Sequence, residues 1–418
     1  MTRKATSSIP LRPSRWAGRA AVIAGALCAA LTGSLLWKAS KIPALNVTAA
    51  DEMSVSVVDR DGRLLRAFTT PSGRWRLPVT AQDVDRRYRD LLLAYEDKRF
   101  FDHGGVDALA VLRAGTQLAM NGRIVSGAST LTMQVARLLE GRHDRSFGGK
   151  MRQMVHALAL ERRYSKREIL DLYFGLAPFG GNIEGVRAAS LAYFGKEPRR
   201  LSLGEAALLV ALPQSPETRR PDRHPAAAKR ARAKVLERAR GAGLITSAES
   251  ARAESEPIPR RRQLFPNYAP HLADRLRVAS PAAAQHRTTL NRNLQRRLED
   301  LVHQHAQALG KRLSAAMIVV DHTSGDIVAH VGSPDYFDHS VLGAIDMTGA
   351  VRSPGSALKP IVYGMAFERG LAHPQTLIDD RPVRFGTYAP RNFDEDFRGT
   401  ITIREALGRS LNIPAVKL

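Results

Sequence analysis

The sequence predicts three architectures in succession: one membrane-spanning helix, a mainly α-helical domain and an α/β domain. Three observations carry this. An uncharged run occupies Ala20 to Trp37. Apolar residues between about Asp83 and Leu212 recur mostly at i, i+3 and i+4. Beyond Ala315, short β-type runs adjoin helical ones. At 418 residues and 44% hydrophobic content, the chain is long enough for two or three domains with their own cores, which excludes a disordered protein.

Residues 1–19 form a basic tail in which Arg3, Lys4, Arg12, Arg15 and Arg19 meet no acidic residue. Residues 20–37 follow as 18 uncharged positions, near the lower limit for a bilayer helix, bracketed by Trp16 and Trp37. Basic residues on one side and aromatic flanks on both predict a single span with the N-terminus cytoplasmic and the rest outside. A cleaved signal peptide is the competing reading. The run is long for such a segment and KASKIPAL is a poor cleavage site, so an uncleaved anchor is expected. The one cysteine, Cys28, lies within the run and leaves no structural disulfide. The twelve histidines are scattered, with no zinc-type Cys/His cluster.

After the anchor, Ser54 to Arg60 alternates apolar and polar residues before Asp61-Gly62, which predicts a short hairpin. The helical domain spans 50–225, broken at His103-Gly104-Gly105, Ser126-Gly127 and Phe179-Gly180-Gly181. Residues 226–310 are expected to be a basic helical linker. The stretch from Pro213 to Arg262 reads as a helix pair whose charge is either a solvated face or a contact with anionic lipid headgroups. A helix follows Thr288-Thr289-Leu290 and runs to about Ala308. Then Ala315 to Val320 predicts a buried strand, Asp321 to Gly325 a turn, and Asp326 to Val331 an alternating strand. Residues 311–418 form the α/β part. No internal repeat is present.

A formal charge of +23 implies a polyanionic partner: nucleic acid, acidic membrane or phosphorylated substrate. No aromatic-interleaved basic motif or helix-turn-helix signature supports nucleic acid, and the expected topology places the basic segments outside the cytoplasm.

Residues 96–107, EDKRFFDHGGVD, put two carboxylates beside a basic pair, two phenylalanines and a histidine. A glutamate desolvated near Phe100 and Phe101 has the raised pKa that a general base near neutral pH requires. About 20 residues on, GASTLTMQVARLL offers Ser129, Thr130, Thr132 and Gln134 where a glycine loop becomes a helix, an array suited to a sugar or diphosphate. One N-cap accounts for one of these four residues. Arg145, Lys150 and Arg152 add cations able to balance a departing diphosphate.

These blocks, with GKMRQMVHALALE, KREILDLYFGLAPFGGNIEGV and ASLAYFGKEPRRLSLGEAALLVALPQSP, occur in an order that resembles the glycosyltransferase domain of class A penicillin-binding proteins. The resemblance runs from about Val55 to Leu418. It implies a lysozyme-like glycosyltransferase fold that polymerises lipid II with inversion at the donor sugar. Glu96 matches the family's catalytic glutamate, which deprotonates the acceptor 4-hydroxyl. Arg137, Arg145 and Lys150 match positions that neutralise the undecaprenyl diphosphate. Asp97 is implied to help hold a divalent cation, Mg2+ or Mn2+, at that diphosphate, with no organic cofactor. Asp97, His103 and Gln153 join the expected substrate-binding set. Three positions depart from the family pattern: Gln153 stands for a usual second glutamate, Met133 for a usual glutamine and Gly175 for a usual asparagine. Glutamine donates a hydrogen bond but cannot act as a base, which favours one base over two.

Further on, RSPGSALKP sets Ser356 three residues before Lys359, on one helix face. Ser410-Leu411-Asn412 and the text RNFDEDFRGTITIREALGRSLNIPAV complete a resemblance to penicillin-recognising acyltransferases. It implies Ser356 as the acylated nucleophile for stem peptides and β-lactams, Lys359 as its base, and Ser410 and Asn412 as proton relay and peptide binder. The family's Lys-Thr-Gly strand is expected beyond residue 418. Losing one oxyanion donor of that strand costs roughly a hundred- to a thousandfold in rate, so a chain ending at Leu418 is expected to be an incomplete transpeptidase. Lipid II, undecaprenyl-linked glycan and an anionic membrane surface are the expected partners, at a bacterial inner membrane with periplasmic catalytic domains. The alternative reading is a non-catalytic cell-wall scaffold that binds lipid II or synthesis partners.

Overall fold

The computed structural model describes residues 45, 47–121, 129–141, 144, 146–310 and 313–418. The basic tail, the anchor with Cys28, and Arg145 lie outside the described residues. Among the described residues no helix is long and apolar enough to cross a membrane. Contacts divide the chain into two compact units, one ending at Thr348 and one running from Gly349 to Leu418.

The first unit opens with β1 (Ser56–Val58) and β2 (Leu64–Ala67), an antiparallel hairpin. Its turn is held by the Asp59 carboxylate, which accepts from the backbone of Asp61 (2.9 Å) and Arg63 (2.8 Å). Every residue of β1 is buried, although alternation predicts one wet face. The reason is two-sided packing: Val58 joins the main core, and Val57 packs with Leu65, Ala269, Ala273 and Leu290 in a second cluster.

Next come β3 (Trp75–Arg76) and the helices α1 (Arg86–Glu96), α2 (Ala108–Asn121), α3 (Leu131–Glu140), α4 (Phe147–Arg163) and α5 (Lys166–Leu176). The chain continues through β4 (Ile183–Glu184), α6 (Val186–Phe194) and α7 (Leu203–Ala211). Starts are set by side-chain caps: Asp85, Thr130, Ser146, Ser165 and Ser202 each accept from a backbone N–H of the following helix. Ser165 with Glu168 and Ser202 with Glu205 close reciprocal capping boxes. Gly141 and Gly195 end α3 and α6 in the left-handed conformation.

Helix α7 is buried nearly all round, with Ala206 to Ala211 inaccessible or almost so, and it is the centre of the unit. Truncating a leucine there, such as Leu209, costs about 2–5 kcal/mol by analogy with other buried leucines. Against α7 packs α8 (Pro225–Gly241), followed by α9 (Ser247–Ser255). The sequence placed this basic pair in a linker. The structure seats its Ala228, Val235, Leu236 and Ala253 in the main core, leaving the charged faces outward. Burial of that alanine-rich face makes the pair part of the helical unit.

The unit continues with α10 (Pro270–Ala279), β5 (Gln285–Arg287), which pairs parallel with β1, α11 (Arg292–Leu309), and the antiparallel strands β6 (Met317–Val320) and β7 (Ile327–Val331). Strand β6, expected to be buried, carries Ile318 and Val320 at 42% and 51% exposure. Its alternate face has no covering layer among the described residues.

The second unit contains α12 (Lys359–Glu368), β8 (Leu377–Asp380), β9 (Gly399–Thr402), α13 (Ile403–Gly408) and α14 (Asn412–Lys417). The two strands pair antiparallel, and Tyr363, Ile401, Ile403, Ala406 and Leu411 form its core.

Candidate active site

Glu96 is the last residue of α1, where the chain leaves helical geometry at Asp97. That exit sends two adjacent carboxylates to different partners. Glu96 Oε1 accepts from Gln214 Nε2 at 2.8 Å and Oε2 from Gln134 Nε2 at 2.9 Å. Asp97 is 7% exposed. Its carboxylate meets His103 Nε2 at 3.0 and 3.1 Å and accepts from Leu131 N, at the first turn of α3, at 3.0 Å. Asp97 therefore caps a helix dipole and pins the His103 loop.

This engagement does not fit Asp97 as a metal ligand. Among the described residues no three His, Cys, Asp or Glu side chains converge as a metal-ligand set.

The hydroxyl array at the start of α3 is divided by the helix. Thr130 is 2% exposed, caps α3 at Met133 N and donates to Gly105 O at 2.6 Å. Thr132 is fully buried and donates to Glu161 Oε1 at 2.6 Å, an oxygen shared with Lys166 Nζ. Both are interior supports, which corrects their expected role as substrate binders. The Gly105 position is forced: a Cβ there would lie 2.7 Å from Ala157 O, and φ is +93°. His103 is likewise inward, its Nδ1 accepting from Gly105 N. Ser129 and Gln134 instead meet Lys150 and Glu96.

A cavity of about 490 Å³, within the usual range for ligand sites, is lined by Arg137, Lys150 and Gln153. The loop Pro213 to Thr218 also lines it, including the Gln214 that holds Glu96. Arg137 Nε is buried without a hydrogen-bond partner among the described residues, and Lys150 contacts Ser129. Arg152 is spent elsewhere, bonding Glu140 (3.0 Å) and Asp144 (2.6 Å). These bonds do not fit its expected part in balancing a diphosphate.

Burial pushes the Glu96 carboxyl above the ordinary glutamate range; the Gln134 and Gln214 donors, with Arg238 and Arg137, oppose it. Burial likewise lowers the Lys150 ammonium, and neighbouring Arg137 adds to this. Two interior phenols, Tyr88 and Tyr173, are both raised chiefly by burial and next by the Glu96 charge, and neither hydroxyl has a hydrogen-bond partner among the described residues. A desolvated carboxylate beside a cavity that Arg137 and Lys150 line, together with Asp144 and Glu217, can take a proton from a bound hydroxyl while an anionic group meets the two cations.

The sequence singled out neither Gln214 nor its supports. The Gln214 carbonyl accepts from Arg219 Nη1 (3.1 Å) and the Tyr95 hydroxyl (3.4 Å), which turns Nε2 toward Glu96. Arg238 stacks 4.5 Å over the Tyr95 ring and donates to Tyr95 O. Gln214 and Arg238 lie 118 and 142 positions beyond Glu96, so no local pattern links them. The available signal was that Gln214 falls inside the block ending LPQSP.

In the second unit, Ser356 is exposed on a short 3-10 turn (Gly355–Leu358) leading into α12, whose first residue is Lys359. Lys359 is largely buried, and burial lowers its pKa. Its Nζ bonds Ser410 O, lies 3.3 Å from Ser410 Oγ and donates to Asn412 Oδ1 at 2.6 Å. Ser410 takes φ +55°, left-handed for a non-glycine residue, as often occurs at functional sites. Asn392, another residue the sequence left unmarked, accepts from Asn412 N at 2.8 Å and donates to the buried Asp380. Lys359, Ser410 and Asn412 thus converge, with Ser356 one turn away.

Two protein families match separate stretches of the chain. The transglycosylase family matches residues 61–240, and the penicillin binding protein transpeptidase domain matches residues 315–418. Penicillin-binding protein 1C of Escherichia coli is 48% identical over 91% of this chain and 49% of its own length. Penicillin-binding protein 1F of Bacillus subtilis is 29% identical over 87% of this chain and 52% of its own. Penicillin-binding protein 1B of Vibrio cholerae is 33% identical over 79% of this chain and 45% of its own. The chain spans about half the length of these relatives.

Proposed function

The chain belongs to the class A penicillin-binding proteins, and from that premise we propose that its helical unit is a peptidoglycan glycosyltransferase polymerising lipid II into glycan strands. The observation that carries this is Glu96, desolvated and gripped by Gln134 and by Gln214, which lines a cavity together with Arg137 and Lys150.

In this reading the 4-hydroxyl of the lipid II acceptor sugar gives its proton to Glu96 as its oxygen attacks the anomeric carbon of the growing chain. The anomeric carbon–oxygen bond to undecaprenyl diphosphate breaks on the opposite face, and the electron pair leaves with the diphosphate. Arg137 and Lys150 balance the charge that develops there, and Gln153 and Ser129 donate hydrogen bonds near it. With Gln153 in place of a carboxylate, Glu96 is the one base. Purified protein with lipid II tests the reading: Glu96→Gln is expected to stop glycan formation, whereas equal product from both proteins would leave the scaffold reading standing.

The second unit is proposed to contribute a penicillin-binding acyl-transfer site. Ser356 Oγ would attack the donor stem-peptide carbonyl, or a β-lactam, giving its proton to Lys359, with Ser410 relaying protons and Asn412 binding the peptide. We assign residues 20–37 as an inner-membrane anchor with the N-terminus cytoplasmic and both units periplasmic. The basic tail beside an uncharged run supports this. A topology reporter fused after residue 50 should give a periplasmic signal; a cytoplasmic one would overturn the assignment.

A further inference from the structure

Each Glu96 oxygen receives one amide donor, and the two donors are held differently. Gln134 lies in the first turn of α3 and is half-buried. Gln214 sits at the end of the short 3-10 turn (Leu212–Gln214) that follows α7, and it is exposed to the cavity. An exposed amide would ordinarily rotate freely. Here its carbonyl is fixed by the Arg219 guanidinium and the Tyr95 hydroxyl, and Arg219 is itself tied to Ala211 O at 2.7 Å, at the end of α7.

We propose that Gln214, oriented by Arg219, is a positioning residue that holds the Glu96 carboxylate in one plane and in its ionised, proton-accepting form. This rests on Glu96 being the base. The physical reason is a chain of dipoles: a cation at the Gln214 carbonyl polarises the amide, and its N–H strengthens the hydrogen bond to Glu96 Oε1. The bond favours the charged form and so opposes the burial that disfavours it. The other groups around Glu96 are Arg137 from α3, Arg238 from α8, and the phenols Tyr88 from α1 and Tyr173 from α5. Among the described residues, none of them hydrogen-bonds the Oε1 that Gln214 grips. With substrate in the cavity, water is displaced from Gln214 and its bond to Glu96 counts for more.

The test is the pH dependence of lipid II polymerisation by wild type, Gln214→Leu and Arg219→Leu, with Glu96→Gln as control. In Gln214→Leu the acidic limb should move to higher pH by roughly half to one unit, and further in kcat than in kcat/KM. Arg219→Leu should move it in the same direction by less, although Arg219 does not touch Glu96. Limbs unmoved in both variants, or activity lost uniformly across pH, would overturn the proposal. Activity in Glu96→Gln would instead refute Glu96 as the base, so the two failures are distinguishable.

Discussion

Glu96 and Asp97 are chain neighbours whose carboxylates serve opposite surfaces: Glu96 is gripped by two glutamines at the cavity, and Asp97 is buried against His103 and the first turn of α3. One residue of non-helical backbone, Asp97 at φ −159°, separates the two roles. A substitution at each should therefore fail in a different way.

Asp97→Asn should lose stability first. It removes the charge facing the α3 N-terminus and weakens the bond to His103, and about 1–3 kcal/mol is expected because the site is dry. Thermal unfolding measures this; unchanged stability with lost activity would reassign Asp97 to the chemistry.

Polymerisation should fall as pH drops through the Glu96 pKa, which burial holds above the ordinary glutamate range. The sign for stability is opposite. A carboxyl with a raised folded pKa contributes stability at low pH and loses it as pH rises through that pKa, so ionised Glu96 costs stability at neutral pH. Glu96→Gln should consequently unfold at the same or a higher temperature than wild type at pH 7.5, as scanning calorimetry can show.

Thr130→Ala should cost about 1 kcal/mol or more through the lost α3 cap, with KM for lipid II nearly unchanged. Lys150→Ala should leave stability close to wild type and lower kcat/KM by roughly 10- to 100-fold, equivalent to about 1.4–2.7 kcal/mol of charge stabilisation. Steady-state kinetics with parallel melting curves separates the pair; the reverse pattern would show that the α3 hydroxyls, and not the cations, line the working surface.

Ser410→Val should destabilise the second unit by about 1–2 kcal/mol, because a β-branched residue is poorly tolerated at φ +55°. Ser410→Gly should fold at least as well while removing the hydroxyl near Lys359. Denaturant unfolding compares them, and equal stability of the serine, valine and glycine proteins would contradict a backbone constraint at this position.

Local spacing made the helices legible: Ser165 with Glu168 and Ser202 with Glu205 announce their own starts, and apolar recurrence marks α7. The proposed base was legible because Glu96 sits among aromatic and glycine residues within one block. The division of Ser129, Thr130, Thr132 and Gln134 was not, because four polar residues in six positions leave open which side of α3 meets solvent. That choice is made by Gly105 O and Glu161, which reach Thr130 and Thr132 from other segments. Gln214, Arg219 and Arg238 were invisible for the same reason, since only tertiary packing of α1 against α7 and α8 brings them to Glu96.

The most direct test of the account is glycan synthesis from lipid II by the purified full chain and its Glu96→Gln variant, read as product length and rate. Loss of at least about a hundredfold in rate, with an unchanged or raised melting temperature, is the predicted result. Glycan strands formed at the wild-type rate by Glu96→Gln would contradict it.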